Sequence, residues 1–154
     1  METRQTKRII WTLLIVAALV AAAISAFAFS FGKFEKVKGS GGVVSIPQAK
    51  VADGKAHFYR FDDNGKEIAF FVAKASDGGY RTAFDSCDVC YREKKGYQQK
   101  GGVMVCVNCN QRFATDRIGP NATGGCNPSY LPHQQRGNMI TINVSDLKGG
   151  ARFF

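Results

Sequence analysis

Past residue 42 the sequence has no stretch of ten or more residues with helical spacing of its apolar side chains. This excludes a helical bundle, and it also excludes the βαβ setting that a thioredoxin-like thiol enzyme requires. A Ser-His-Asp arrangement, a phosphate-cradling glycine loop and a pair of carboxylates placed for acid–base work are all missing, so the usual hydrolase and nucleotide-binding chemistries have no residues to run on. Acidic residues are few, 12 Asp and Glu against 21 Lys and Arg, for a net charge of +9. Such a surplus attracts anionic headgroups, an acidic protein or nucleic acid. No basic run is interleaved with the aromatic side chains on which bases stack, so no nucleic-acid partner is expected.

What the chain does have begins with 23 uncharged residues, 9–31, IIWTLLIVAALVAAAISAFAFSF. At about 1.5 Å per residue, a helix of that length crosses a hydrocarbon core of about 30 Å. The reading is a single-pass anchor in the cytoplasmic membrane. Arg4, Lys7 and Arg8 mark residues 1–8 as its cytoplasmic flank. The small residues of Ala26-Phe27-Ala28 also fit a cleaved signal peptide, although the apolar run is longer than the core of such peptides. Either reading exports the rest of the chain to the periplasmic or extracellular side.

Residues 32–42, GKFEKVKGSGG, are rich in glycine and lysine and read as a flexible linker, with an exported domain over 43–154. In that domain VVSIP (43–47), AHFYRF (56–61), EIAFFVAKA (67–75), YRTAF (80–84), GGVMVCVNC (101–109) and MITINV (139–144) read as strands. They are separated by turn chemistry at Asp53-Gly54, Asp62-Asp63-Asn64-Gly65 and Ser76-Asp77-Gly78-Gly79. Ser145-Asp146-Leu147 starts one helical turn, and ARFF closes the chain as a strand or a packed end. The expected class is all-β, a small sandwich or meander with Rieske-like or zinc-ribbon-like metal loops, preceded by the transmembrane helix.

Five cysteines, all in this domain, are spaced C-x2-C-x15-C-x2-C-x16-C: Cys87, Cys90, Cys106, Cys109 and Cys126. A Cys-x-x-Cys turn at the end of a strand points two sulfurs into one small volume, and two such turns at neighbouring strand tips complete a tetrahedral sulfur site. Export also admits disulfides. An odd count leaves a thiol over, and a bridge inside Cys-x-x-Cys closes too short a loop to be much of a staple. Four thiolates suit zinc, mononuclear iron or an iron-sulfur cluster, and copper(I) accepts two or three of them.

AFDSCDVCYREKKGYQQKGGVMVCVNCNQRFATDRIG followed by GGCNPSYLP, with GKAHFYRF and EIAFFVAK upstream, resembles the FtrD-like membrane iron-sulfur protein family. The resemblance covers nearly all of the exported part. It implies an iron centre, electron transfer or metal handling in iron uptake, and partners such as an iron permease or another membrane transport or redox protein. A more distant likeness is to the Rieske fold. Cys87 with Cys90 and Cys106 with Cys109 would fill its two cluster loops, and IGPNATGGCNPSYLP its proline-rich covering loop. Cysteine stands here where that fold has histidine, which implies a lower potential.

Further candidates surround the pairs. Cys126, in Gly124-Gly125-Cys126-Asn127-Pro128, is a fifth ligand, an exposed nucleophile of a thiol-disulfide or metal reductase, or a small buried side chain. His57 on a strand is a possible ligand or a structural hydrogen-bonding residue, and His133 is a weaker one. Met104 is a soft ligand for copper(I) or a core residue. Tyr80, Tyr91 and Tyr97 shield the site, pass electrons or pack. Arg92, Lys94, Lys95 and Lys100 dock an acidic redox partner or form a solvated hairpin tip.

Overall fold

A computed structural model of the protein describes residues 32–122 and 125–154, and its folded unit spans Phe34–Phe154. No helix among the described residues is long and apolar enough to cross a membrane. The apolar run at 9–31 and its flank lie outside them.

The described fold is mostly β-sheet with one short helix. A four-stranded sheet has the order β1-β3-β4-β5, from β1 (Phe34–Val37), β3 (His57–Asp63), β4 (Lys66–Lys74) and β5 (Tyr80–Phe84). A second sheet, β2-β10-β9, combines β2 (Val43–Pro47), β10 (Met139–Asn143) and β9 (Gln134–Arg136). The third, β6-β7-β8, is built from β6 (Tyr97–Lys100), β7 (Val103–Cys106) and β8 (Arg112–Ala114). Helix α1 (Val144–Gly149) and a 3-10 turn over Ala151–Phe153 close the chain.

Period-two alternation sorts the central sheet into two faces. Tyr59, Phe61, Ile68, Phe70 and Val72 point into a core shared with Val44, Ile46, Ile140 and Ile142 of the second sheet and with Leu147 and Phe153. Phe58, Phe71 and Ala83 point the other way, into a second core with Tyr97, Met104, Ile118 and three of the cysteines. Because β4 is covered on both sides, six consecutive residues of it are buried. That is why EIAFFVAK reads as a continuous apolar run and not as an alternation.

β3, β4 and β5 form the expected antiparallel meander. Asn64 (φ 52°) and Gly65 (φ 90°) make the two-residue turn between β3 and β4, with Asp63 opposite Lys66. Positive φ at both central residues is what the Asn-Gly pair supplies.

The linker expected over residues 32–42 is corrected at Phe34–Val37, which is strand β1, paired in parallel with β3 from Phe34 opposite Phe58 to Val37 opposite Phe61. The Phe34 ring meets the Phe58 ring edge-on at 6.0 Å and lies under the Arg60 guanidinium at 4.1 Å. Lys36 reaches Glu67 at 3.4 Å. One aromatic anchor and charged neighbours suffice for an edge strand, whose exposed face takes lysine. The chain end read as a strand or packed end is the 3-10 turn, with Phe153 packed on Phe84 and Tyr91.

Candidate metal centre

Two loops and one strap build the site. The first loop follows β5, where Cys87 accepts the Cys90 backbone N–H at 3.0 Å on its Sγ. A 3-10 turn over Tyr91–Glu93 then reverses the chain. The second loop closes β7: Cys106 is its last residue, its carbonyl accepts from Asn110 N at 2.9 Å, and its own N–H goes to Gln111 O at 3.0 Å. The fifteen residues between the pairs do return on themselves, because β6 pairs with β7 and places Tyr97 opposite Cys106.

The loops are tied together at Asp85 and Gly96. The buried Asp85 carboxylate accepts the Tyr97 N–H at 2.7 Å, while the Gly96 carbonyl accepts from Val107 N at 2.9 Å. Gly96 has φ 64°, and a Cβ there would lie 2.5 Å from both Asp85 carboxylate oxygens. Both the backbone angle and the space admit glycine only.

The strap brings Cys126. Residues 129–131 run along β5, with Ser129 N to Ser86 O at 3.1 Å, Phe84 N to Ser129 O at 2.9 Å and Leu131 N to Thr82 O at 3.2 Å. The first of these bonds sits next to Cys87. From the other side the Tyr97 hydroxyl donates to the Cys126 carbonyl at 2.7 Å.

The result is a group of four sulfurs, from Cys87, Cys90, Cys106 and Cys126, that all lie within 4.8 Å of one another. Cys90 Sγ and Cys126 Sγ are in contact at 3.1 Å, and all five cysteines are free thiols. Cys109 is exposed and outside the four that lie mutually within 4.8 Å, yet its thiol is within hydrogen-bonding reach of Cys126, Cys90 and Cys106. Burial raises the Cys106 and Cys126 thiols above their ordinary range. Cys90 is lowered to about 7, chiefly by the Asn108 amide, whose Nδ2 donates to its Sγ at 3.5 Å, and then by Cys126.

The sequence pointed to Cys109 as the partner of Cys106 and left Cys126 open. The fold buries Cys126, 6% exposed, within 4.8 Å of the sulfurs of Cys87, Cys90 and Cys106, so the expectation of an exposed nucleophile there is not met. His57 also stands apart. Its Nε2 lies 2.7 Å from Asp53 Oδ1, and strand alternation turns Ala56 and Phe58, not His57, toward the cysteine core. Met104 is fully buried in that core. His133 Nδ1 meets Thr82 Oγ1 at 2.8 Å, away from the sulfurs. Of the tyrosines, Tyr80 packs in the first core, Tyr91 on Phe153, and Tyr97 on Phe71 beneath the site. The residues that spacing alone did not single out, Asp85, Gly96 and Asn108, act through contacts between segments. Only the glycine among turn residues was a signal.

A family model described as membrane iron-sulfur containing protein, FtrD-like, matches residues 51–154. The chain belongs to the FtrD-like family. No curated protein matches it. Among solved structures, the quaternary ammonium Rieske monooxygenase CntA in complex with an inhibitor is similar at 14% identity and a TM-score of 0.42, over 65% of this chain and 30% of that one. The match therefore spans under a third of that enzyme's length.

The donor set of this FtrD-like chain fits the iron–sulfur chemistry its family description names. All four clustered donors are cysteines, and N–H groups of Cys90 and Asn108 aim at two of the sulfurs. Hydrogen bonds to sulfur are among the levers that set the potential of such centres. The spacing adds a size: a metal–sulfur bond of about 2.3 Å in a tetrahedron puts sulfurs about 3.8 Å apart. Four sulfurs within 4.8 Å match that arrangement around one ion.

Proposed function

We propose that this FtrD-like protein is a membrane-anchored iron-thiolate carrier, with Cys87, Cys90, Cys106 and Cys126 as the ligands. It serves electron transfer or metal handling in iron uptake, with its β domain on the outer side of the cytoplasmic membrane. The single observation that carries the reading is the convergence of those four sulfurs within 4.8 Å, in a chain of an iron-sulfur family. Its neighbours in the cell are an iron permease or another membrane transport or redox protein. The apolar run at 9–31 supplies the anchor.

When bound, iron in a thiolate site supplies one-electron redox chemistry. The chain's own residues prepare for it. Cys87, Cys106 and Cys126 are buried, which keeps water from the sulfurs and lowers the local dielectric. Cys90, lowered to about 7, is the thiol most ready to give up its proton as metal enters. Asn108 would donate to the Cys90 thiolate and so favour the more electron-rich state of the site. Asp85, Gly96 and Tyr97 hold the loops at fixed separation, which limits reorganisation when charge changes.

The test is to purify the full chain without oxygen and measure iron, zinc, copper, acid-labile sulfide and visible absorbance. Iron with thiolate-to-iron absorbance is the expected result, and the sulfide content separates a single ion from a cluster. Colourless protein holding one zinc and no sulfide overturns the carrier and leaves a structural site. Selective copper(I) loading overturns iron.

A further inference from the structure

Among the described residues two large apolar side chains are exposed, Val89 at 64% and Val107 at 40%. Each lies inside one of the Cys-x-x-Cys loops, Val89 next to Cys90 and Val107 next to Cys106, whose sulfurs belong to the group within 4.8 Å. Each valine thus flanks, in sequence, a cysteine whose sulfur is in the cluster. Half-buried Cys90 and exposed Cys109 belong to these loops as well, while the other three cysteines are buried. Apolar side chains scattered singly on a surface need no explanation, and these two draw attention because each lies in a different Cys-x-x-Cys loop.

Cations rim the face that these loops present. Arg92, Lys94 and Lys95 are exposed, and Lys95 Nζ donates to Asn108 Oδ1 at 3.0 Å, which holds one charge against the second loop. Lys94 has φ 51°, a left-handed position where glycine or asparagine is less strained. A lysine there keeps a charge at this face at the expense of backbone energy. Of the two acidic residues nearby, Glu93 is in the turn, and Asp88 is 3.7 Å from the Arg152 guanidinium, which adds a further cation.

We infer that this face docks an acidic electron-carrier protein, whose apolar centre covers Val89 and Val107 and whose carboxylates meet Arg92, Lys94 and Lys95. The inference rests on the reading of the site as a redox-active iron centre. One electron leaves the reduced partner of the pair and enters the oxidised one, with no bond made and no proton moved. A small apolar centre with a charged rim suits the brief, low-area encounters of redox proteins. Anionic headgroups would engage the lysines but have no use for the valines.

The test uses the full chain in uncharged detergent, with an acidic c-type cytochrome as probe and a basic one of similar potential as control. Binding is read by calorimetry and electron transfer by stopped flow. The acidic cytochrome should react about tenfold faster than the basic one at low salt, and lose that advantage as salt screens the charges. Lys94→Glu and the pair Val89→Ser with Val107→Ser should each lower binding and rate about fivefold or more, at unchanged metal content. Lys94→Gly should lower the rate without lowering thermal stability, which separates the charge from folding. Equal rates for the two cytochromes, or variants that react like the parent, overturn the docking surface. So does Lys94→Glu that abolishes binding to phosphatidylglycerol vesicles while leaving the cytochrome rate intact, since the face would then meet lipid. If the chain holds no reducible metal, neither cytochrome reacts and the carrier reading fails. Calorimetric binding of the acidic cytochrome, lost in Lys94→Glu, would still support the docking face.

Discussion

The Tyr97 hydroxyl donates to the Cys126 carbonyl at 2.7 Å, so the first residue of β6 holds the last cysteine of the chain in place over the other three. Burial raises the Tyr97 pKa well above its ordinary value, which keeps the hydroxyl a donor at any physiological pH. Tyr97→Phe keeps the ring against Phe71 and removes the hydroxyl's bond to the Cys126 carbonyl together with its contact to Cys87. It should cost about 1 kcal/mol in denaturant titration and speed the loss of metal to a chelator.

Serine replacements should separate the five cysteines. Cys87→Ser, Cys90→Ser, Cys106→Ser and Cys126→Ser are each expected to lower metal affinity by about tenfold or more, because each removes a proposed ligand. Cys109→Ser should retain metal close to the parent level, since Cys109 stands outside the group of four. Metal-to-protein ratios after dialysis against a competing chelator check this. Metal loss in Cys109→Ser with retention in Cys126→Ser would reverse the assignment.

Gly96→Ala should be among the more damaging single changes outside the cysteines. The new methyl meets the Asp85 carboxylate, which cannot retreat without releasing Tyr97 N–H, and φ 64° is strained for alanine. A loss of about 2–3 kcal/mol is expected in thermal or urea unfolding, together with poor metal retention.

Asn108→Ala removes the largest cause of the lowered Cys90 pKa. In metal-free protein the Cys90 thiol should move from about 7 back toward its ordinary value of 9.0, as followed by ultraviolet thiolate absorbance against pH. In metal-loaded protein the lost N–H···S bond should make the midpoint potential more negative.

His133 carries a pH dependence of stability. Burial first, and then the charge of Arg81, lower its pKa from the ordinary 6.5, so the folded protein keeps it neutral. Thr82 Oγ1 donates to the Leu131 carbonyl, which leaves the hydroxyl to accept from His133 Nδ1–H at 2.8 Å. Below 6.5 the unfolded chain takes up a proton that the folded one refuses; stability is therefore complete above that pH and falls as pH drops. Asp53, Asp77 and Asp116 have pKa values lowered from 3.8 and lose their contributions only at more acid pH. Between about pH 6.5 and 5 the parent should lose stability faster than His133→Gln, measured as unfolding midpoints.

Local chemistry was legible where it repeats at short range. The strands β2 to β5, β7 and β10 announce themselves by alternating or continuous apolar side chains between Gly, Asp and Asn turns. The Cys-x-x-Cys pairs announce a thiolate site. β1, β6, β8 and β9 were not legible as strands, because short strands with mostly exposed or half-buried residues carry little apolar signal and gain their partners only from the rest of the sheet. The continuous apolar run of β4 carried its burial on both sides, while which elements cover each side is decided by the packing of distant segments.

The sequence by itself determined an all-β, glycine-punctuated domain with more thiols than one tetrahedral metal needs, behind a run apolar enough to span a bilayer. Its family likeness was legible in the same residues. Which four thiols meet was decided only by tertiary structure. Cys106 and Cys109 are near neighbours in the chain, yet it is Cys126, twenty residues further on, that joins Cys87, Cys90 and Cys106 within 4.8 Å. Backbone bonds to β5 and the Tyr97 hydroxyl carry Cys126 inward, while the turn after Cys106, with Asn110 at φ 60°, leaves Cys109 at the surface. Spacing along the chain fixes how close two residues can be, and only the packing of distant segments fixes which of them share a buried volume.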